Sequence, residues 1–265
     1  MKKYTKLILV LLCLSLLAAS LFIGSLAAET KSAPTAQTNG KFEYINSSGA
    51  TAIADDLETA VANAKAGTTI KMLGDHYCVR NGQLNITKQL TIDFGGHVFA
   101  MSQSDNNSSI FSSKTIKFMN GTIVASGNSS YSTSNYWGYA FFRPGTSNVS
   151  VTFENVNSYT ACLVLDGWSG GINVTVKGGE HYLMYHPANM MGGGLVETRR
   201  NATVNVSDAT IYYGMRDTAV NAQMYNEGTP GAANYTFTRC NFISNDGRKS
   251  VIGYANQYTK FTFNA

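Results

Sequence analysis

The sequence predicts an all-β chain wound into a parallel β-helix solenoid, with an N-terminal amphipathic helix as its cap. The first observation is a repeated phrase of two apolar residues separated by one: Leu90/Ile92, Ile116/Phe118, Val151/Phe153, Val174/Val176, Val204/Val206, Tyr235/Phe237 and Phe261/Phe263. The second is its spacing, 26, 35, 23, 30, 31 and 26 residues between second members, in the range of stacked supersecondary units. The third is a pair of recurring positions just beyond the phrase. Three residues on stands a mostly small residue (Gly95, Gly121, Val156, Gly179, Ala209, Cys240), and six residues on an apolar one (Val98, Val124, Tyr159, Tyr182, Tyr212, Ile243). Alternation puts both members of a pair on one face of a strand. A single such strand buries too little to hold itself, but stacked coils align like positions into continuous apolar columns. The small residue suits a tight bend, and uneven spacing means that extra residues leave as loops. An antiparallel β-sandwich also shows short strands with turns, but its turn signals return every ~8–12 residues, faster than this phrase does.

At the N-terminus, Lys2, Lys3 and Lys6 precede an apolar run from Leu7 to Ile23 that ends in Ser25-Leu26-Ala27-Ala28, the layout of a secretory leader. Residues 1–28 are therefore expected to be a signal peptide. The run exceeds the usual ~7–15 residues, which leaves an uncleaved anchor as the alternative. Either way the rest of the chain is expected to be secreted or extracellular, associated with the cell surface. Residues 29–50 read as a spacer and lead-in, rich in Thr, Ala, Ser, Pro and Gln at their start. The β-helix domain is expected over 51–265. It begins with a helix over Ala52–Ala66, with Leu57, Ala60, Val61 and Ala64 on one face, Asp55 and Asp56 in the first turn, and Gly67 as its stop. This helix is a lid for an end that otherwise exposes core and unpaired backbone. Thr69–Leu73 reads as a strand, and the repeated phrase then supplies a strand to each coil. Phe261–Ala265 opens one more coil, so the domain is expected to be incomplete there, with further domains possible after Ala265.

Three stretches, LETAVANAKAGTTIKML, LTIDFGGHVF and IKFMNGTIV, resemble the start of bacterial proteins of the pectin-lyase-like, right-handed parallel β-helix superfamily. The resemblance covers most of the chain from about Ala52 onward. It implies a right-handed coil and, since the superfamily holds lyases, hydrolases, adhesins and tailspikes, it implies no single reaction.

Composition narrows the function classes. The formal charge is +4, and removing the three leader lysines leaves +1. A nearly neutral body without a basic run argues against nucleic acid as partner. Cys78, Cys162 and Cys240 are too few and odd in number for a disulfide framework, and no Cys/His spacing suggests a metal site. Cys240 falls in the bend column and reads as packing. Eleven Asn-x-Ser/Thr triplets read as bend and strand-edge chemistry, since Asn tolerates left-handed backbone, or as glycan acceptors.

The loops carry the candidate chemistry. Ala125–Ser150 holds Tyr136, Trp137 and Tyr139 among Ser, Asn and Gly, together with Arg143. Rings with apolar faces and polar tips suit a half-wet contact such as a sugar face; the competing reading is a satellite core. Trp168, flanked by glycines, is a second stacking candidate, and Arg199, Arg200 and Glu197 are candidates for an acidic-sugar contact. Counting along the coils places Asp166, His186, Asp217 and Arg248 on one side, where acid, base and cation meet as a lyase needs; the bland reading is a ladder of surface charges. His97 and His181 read as structural. The hydrolase and lyase motifs that the resemblance implies are absent: the adjacent acids Asp55-Asp56 sit on the lid, no Gly-His-Gly occurs, and Arg143-Pro144 only begins the Arg-x-Pro-x-x-Arg arrangement.

The expected function is an exported, adhesin-like β-helix that binds polysaccharide or a cell-surface glycan through its loops, with no cofactor and no metal. The alternative is a polysaccharide lyase or other carbohydrate-active enzyme on uronate-containing chains, for which Ca²⁺ would neutralise the substrate carboxylate.

Overall fold

A computed structural model describes residues 33–36, 39–103, 108–127, 140–166, 169–183, 194–198, 200–213, 220–221, 232–244, 251–252 and 258–265. Ser32–Ala265 forms one compact unit. The signal peptide expected over 1–28 lies outside the described residues. Among those residues one helix occurs, and it is not long and apolar enough to cross a membrane. Nearly everything else is strand, in a 15-stranded and a 6-stranded sheet.

From Thr69 onward the strands fall into three parallel ladders visited in rotation. The first ladder takes Thr69–Met72, Leu90–Asp93, the opening halves of Ile116–Gly127 and Ser150–Thr160, then Ile172–Lys177, Ala202–Ser207, Ala233–Thr238 and Lys260–Asn264. The second takes His76–Arg80, Val98–Gln103, the closing halves of the same two long strands, Glu180–Leu183, Thr210–Tyr213 and Asn241–Ser244. The third is the separate six-stranded sheet: Leu84–Ile86, Ile110–Ser112, Ala140–Pro144, Cys162–Asp166, Gly194–Thr198 and Val220–Asn221.

The repeated phrase is the first ladder, in the expected register. Ile92 pairs with Phe118, Phe118 with Phe153, Phe153 with Val176, Val176 with Val206, and Val206 with Phe237. All six are at most 2 % exposed. Phe94, Phe118 and Phe153 stack nearly parallel, with centroids 6.2 and 5.2 Å apart. The apolar residues six positions on behave differently. Val124, Tyr159, Tyr182 and Tyr212 are in register but form a second cluster with Ala100, apart from the main core. Tyr159, Tyr182 and Tyr212 stack at 4.5 and 4.3 Å with planes within 6°. Phe99, Ile123 and Ile211, which alternate with that column along their strands, point into the main core instead, as strand geometry requires. Val98 pairs with Thr122 and so sits two residues out of that column.

The bend also differs from expectation. A left-handed residue stands two positions after the pair in five repeats, at Asn120 (φ 55°), Asn155 (φ 53°), Gly178 (φ 72°), Asp208 (φ 56°) and Arg239 (φ 51°), while Gly95 (φ 62°) and Gly179 (φ 90°) are left-handed at the expected third position. Small size at that third position also has a packing reason. A Cβ at Gly121 would run into Phe94, and one at Gly179 into the Val156 carbonyl. Asp208 and Arg239, neighbours in this corner ladder, form a bidentate pair at 2.7 and 2.9 Å. Cys240 is half-buried against the core, its thiol 3.4 Å from the Val206 carbonyl.

The N-terminal end corrects two boundaries. The helix spans Leu57–Asn63, not Ala52–Ala66, because Thr51–Ala54 is a strand paired antiparallel with Phe42–Ile45. Phe42–Ile45 in turn pairs antiparallel with Thr69–Met72, so the lead-in assigned to 29–50 already contains a core strand. Asp56 caps the helix, accepting from the Thr59 N–H at 2.6 Å, and Leu57, Ala60, Val61 and Ala64 are buried as expected. Lys88 donates to the Ala62 and Ala64 carbonyls at 2.6 and 2.9 Å, satisfying groups that a helix end leaves open. Buried Arg80 pairs with Glu58, tying the helix to the second ladder.

Candidate functional site

The third ladder carries the most varied surface chemistry. Register aligns Asn85 with Phe111, Phe111 with Arg143, Leu165 with Glu197, and Glu197 with Asn221. Pairing of Phe142 with Val164 sets Arg143 beside Leu165. The Arg143 guanidinium carbon stands 6.0 Å from the Phe111 ring centroid, within range of a cation–π contact. Phe111, Arg143, Pro144, Leu165, Asn85 and Ser169 line a cleft of about 280 Å³. Glu197 is 2 % exposed. Its carboxylate adds to burial in pushing the Cys162 thiol up, while Arg143 pulls the other way, so both charges are felt at this sulfur.

The turn after Asp166 joins this cleft to a second one. Asp166 is fully buried. Its carboxylate accepts from the Ser169 N–H at 3.0 Å and the Gly170 N–H at 3.2 Å, so it shapes the turn. Ser169 donates to the Pro144 carbonyl at 3.0 Å. Gly170 and Gly171 have positive φ (70° and 67°), and the Arg200 alkyl chain lies across Gly170. Ser147, Asn148, Ser169, Gly170, Arg200 and Asn201 line the second cleft, of about 320 Å³. Ser169 lines both clefts, with Arg143 and Phe111 in the first and Arg200 in the second.

Of the residues singled out from sequence, Arg200 lines the second cleft and Asp166 accepts from the Ser169 and Gly170 backbone. His186, Asp217, Arg248, Tyr136, Trp137, Tyr139, Trp168 and Arg199 lie outside the described residues, and with them the convergence of Asp166, His186, Asp217 and Arg248. Tyr136, Trp137 and Tyr139 directly precede Ala140–Pro144, the strand that carries Arg143. Sequence reasoning overlooks Phe111 and weighs Arg143 only within an aromatic loop and a broken motif; reading Ala140–Pro144 as a strand is the signal that aligns the two. His181 is buried between Ser158 and the Gly178 carbonyl, and His97 lies 3.6 Å from Asp75. Among the described residues no three His, Cys, Asp or Glu side chains gather as a metal site would need.

Comparison with protein-family models, curated proteins and solved structures returns no match.

Proposed function

We propose that the protein is an exported, surface-associated right-handed parallel β-helix that binds polysaccharide along the trough of the third ladder. The three ladders visited in rotation, with parallel pairing throughout, support the β-helix reading, and the helix Leu57–Asn63 serves as its lid. The basic, apolar and small-residue order of residues 1–28 supports export. One observation carries the binding function: Arg143 over Phe111 and Arg200 over Gly170 line two clefts that share Ser169, which we read as one trough. A ring face, two guanidinium forks and several amides and hydroxyls are what a hydroxyl-rich ring polymer needs from a site. Tyr136, Trp137 and Tyr139, close to Arg143 in sequence, are proposed as further stacking residues.

The test is glycan-array binding by the exported protein and by Arg143→Ala, Arg200→Ala and Trp137→Ala. Each substitution is expected to cut binding by about tenfold, equivalent to about 1.4 kcal/mol, without changing the melting temperature. Retained binding by all three rejects the trough. Release of ultraviolet-absorbing unsaturated products from polygalacturonate or alginate would instead make the protein a lyase.

A further inference from the structure

The second ladder carries an apolar surface that the glycan reading does not use. Ala100, Val124, Tyr159 and Tyr182 are buried there although they lie outside the main core. Ala33 and Ala36 pack on this cluster. Residues 33–36 make no hydrogen bond with another described residue, so apolar contact is what holds them to the sheet. The segment joins the body at Gly40. Its N–H donates to the Asp75 carbonyl at 2.6 Å, its carbonyl accepts from His76 Nδ1 at 3.0 Å, and Gly74 leaves no room for a Cβ.

Between the segment and the sheet lies a cavity of about 380 Å³, within the roughly 300–1,000 Å³ span of small-molecule sites. Pro34 and Ala36 form one wall, and Tyr77, Ala100, Ser102 and Val124 the other. Among the described residues the lining contains no charged side chain. Pro34 and Tyr77 offer ring surfaces, and the hydroxyls of Tyr77 and Ser102 offer the few polar handles that orient a bound molecule.

We propose that this cavity is a binding pocket for a small neutral aromatic compound, with Pro34–Ala36 as its movable roof. Neutrality follows from the uncharged lining, where an ion would be left desolvated and unpaired. A roof held by apolar contact lifts at little cost and recloses on the ligand.

The probe is N-phenyl-1-naphthylamine, a neutral ring compound that fluoresces in apolar surroundings, titrated into the exported protein. A saturable, severalfold rise in fluorescence is expected. Ala100→Trp fills the floor and should abolish the rise. Ala36→Asp places a charge in the roof, leaves the main core untouched, and should weaken binding severalfold while the circular-dichroism melt stays unchanged. No saturable rise in the unaltered protein overturns the proposal, as does an equal rise in both variants. A rise that appears only after deletion of residues 29–38 also overturns it, since the segment is then a permanent cover. Glycan binding at the third ladder is read separately and does not bear on this result.

Discussion

His181 Nδ1 lies 2.9 Å from the Ser158 hydroxyl in the interior, and its Nε2 lies 3.2 Å from the Gly178 carbonyl. A carbonyl can only accept, so Nε2 carries the proton; burial disfavours a second proton on Nδ1, which then accepts from the Ser158 hydroxyl. Burial holds its pKa down to about 4, against 6.5 for a free histidine, with the Gly178 contact opposing weakly. The unfolded chain therefore takes up a proton before the folded one does. Stability is full above pH 6.5 and falls as pH drops toward 4, by roughly 3 kcal/mol from this group. Burial also lowers the pKa of His76, which acts in the same direction. Urea melts from about pH 7.5 to 4 should show the decline, and His181→Gln should flatten it. Identical slopes in the two proteins would refute a neutral buried His181.

Phe153 stacks on Phe118 and meets Phe141 edge-on at 6.2 Å. Phe153→Ala should cost about 3–5 kcal/mol by opening a cavity in the column. Phe153→Asp should leave no cooperative thermal transition, because an unpaired charge there has neither water nor partner. A melting temperature within a few degrees of the parent for the Asp variant would show that the column is not sealed.

Gly179 has φ 90°, and a side chain there would meet the Val156 carbonyl. Gly179→Ala should cost at least about 2 kcal/mol through strain and crowding together. Asn155→Gly, at a left-handed corner with an exposed side chain, should change stability by less than about 1 kcal/mol. Denaturant midpoints of the two variants separate backbone demand from side-chain packing, and equal effects would count against the corner assignment.

Burial pushes the Cys78 thiol up to about 11 and pushes the Cys162 and Cys240 thiols up as well. The thiolate is the reactive form. Native protein at about pH 8 should therefore react slowly with a thiol reagent, with fully buried Cys162 slowest, and all three should react at once in guanidinium. Rapid native labelling of Cys162 would mean that the third ladder is open to solvent.

The first ladder is legible in the sequence because its signal is local. Val174–Val176 and Val204–Val206 each carry their own alternation, and a one-residue slip would turn every pair outward. The third ladder is not, because Cys162–Asp166 and Gly194–Thr198 are buried on both faces and so show no period at all. The helix reads too long for a related reason: Thr51–Ala54 has helix-compatible spacing, and only its partner strand Phe42–Ile45 makes it β.

By itself the sequence determined which residues face inward along the repeated phrase, their mutual register, and the near-neutral charge of the chain beyond residue 28. These are properties of residue type and separation along the chain. Only the tertiary structure decided that the Tyr159–Tyr182–Tyr212 column lies outside the main core, that most repeats place a left-handed residue one position before the expected one, and that Asp166 accepts from the turn that follows it. It alone set Arg143 beside Phe111 in one cleft and Arg200 in a second that shares Ser169. These depend on which strand stacks on which and on what fills each corner, distances through space that linear spacing does not encode once segments of unequal length separate the paired strands.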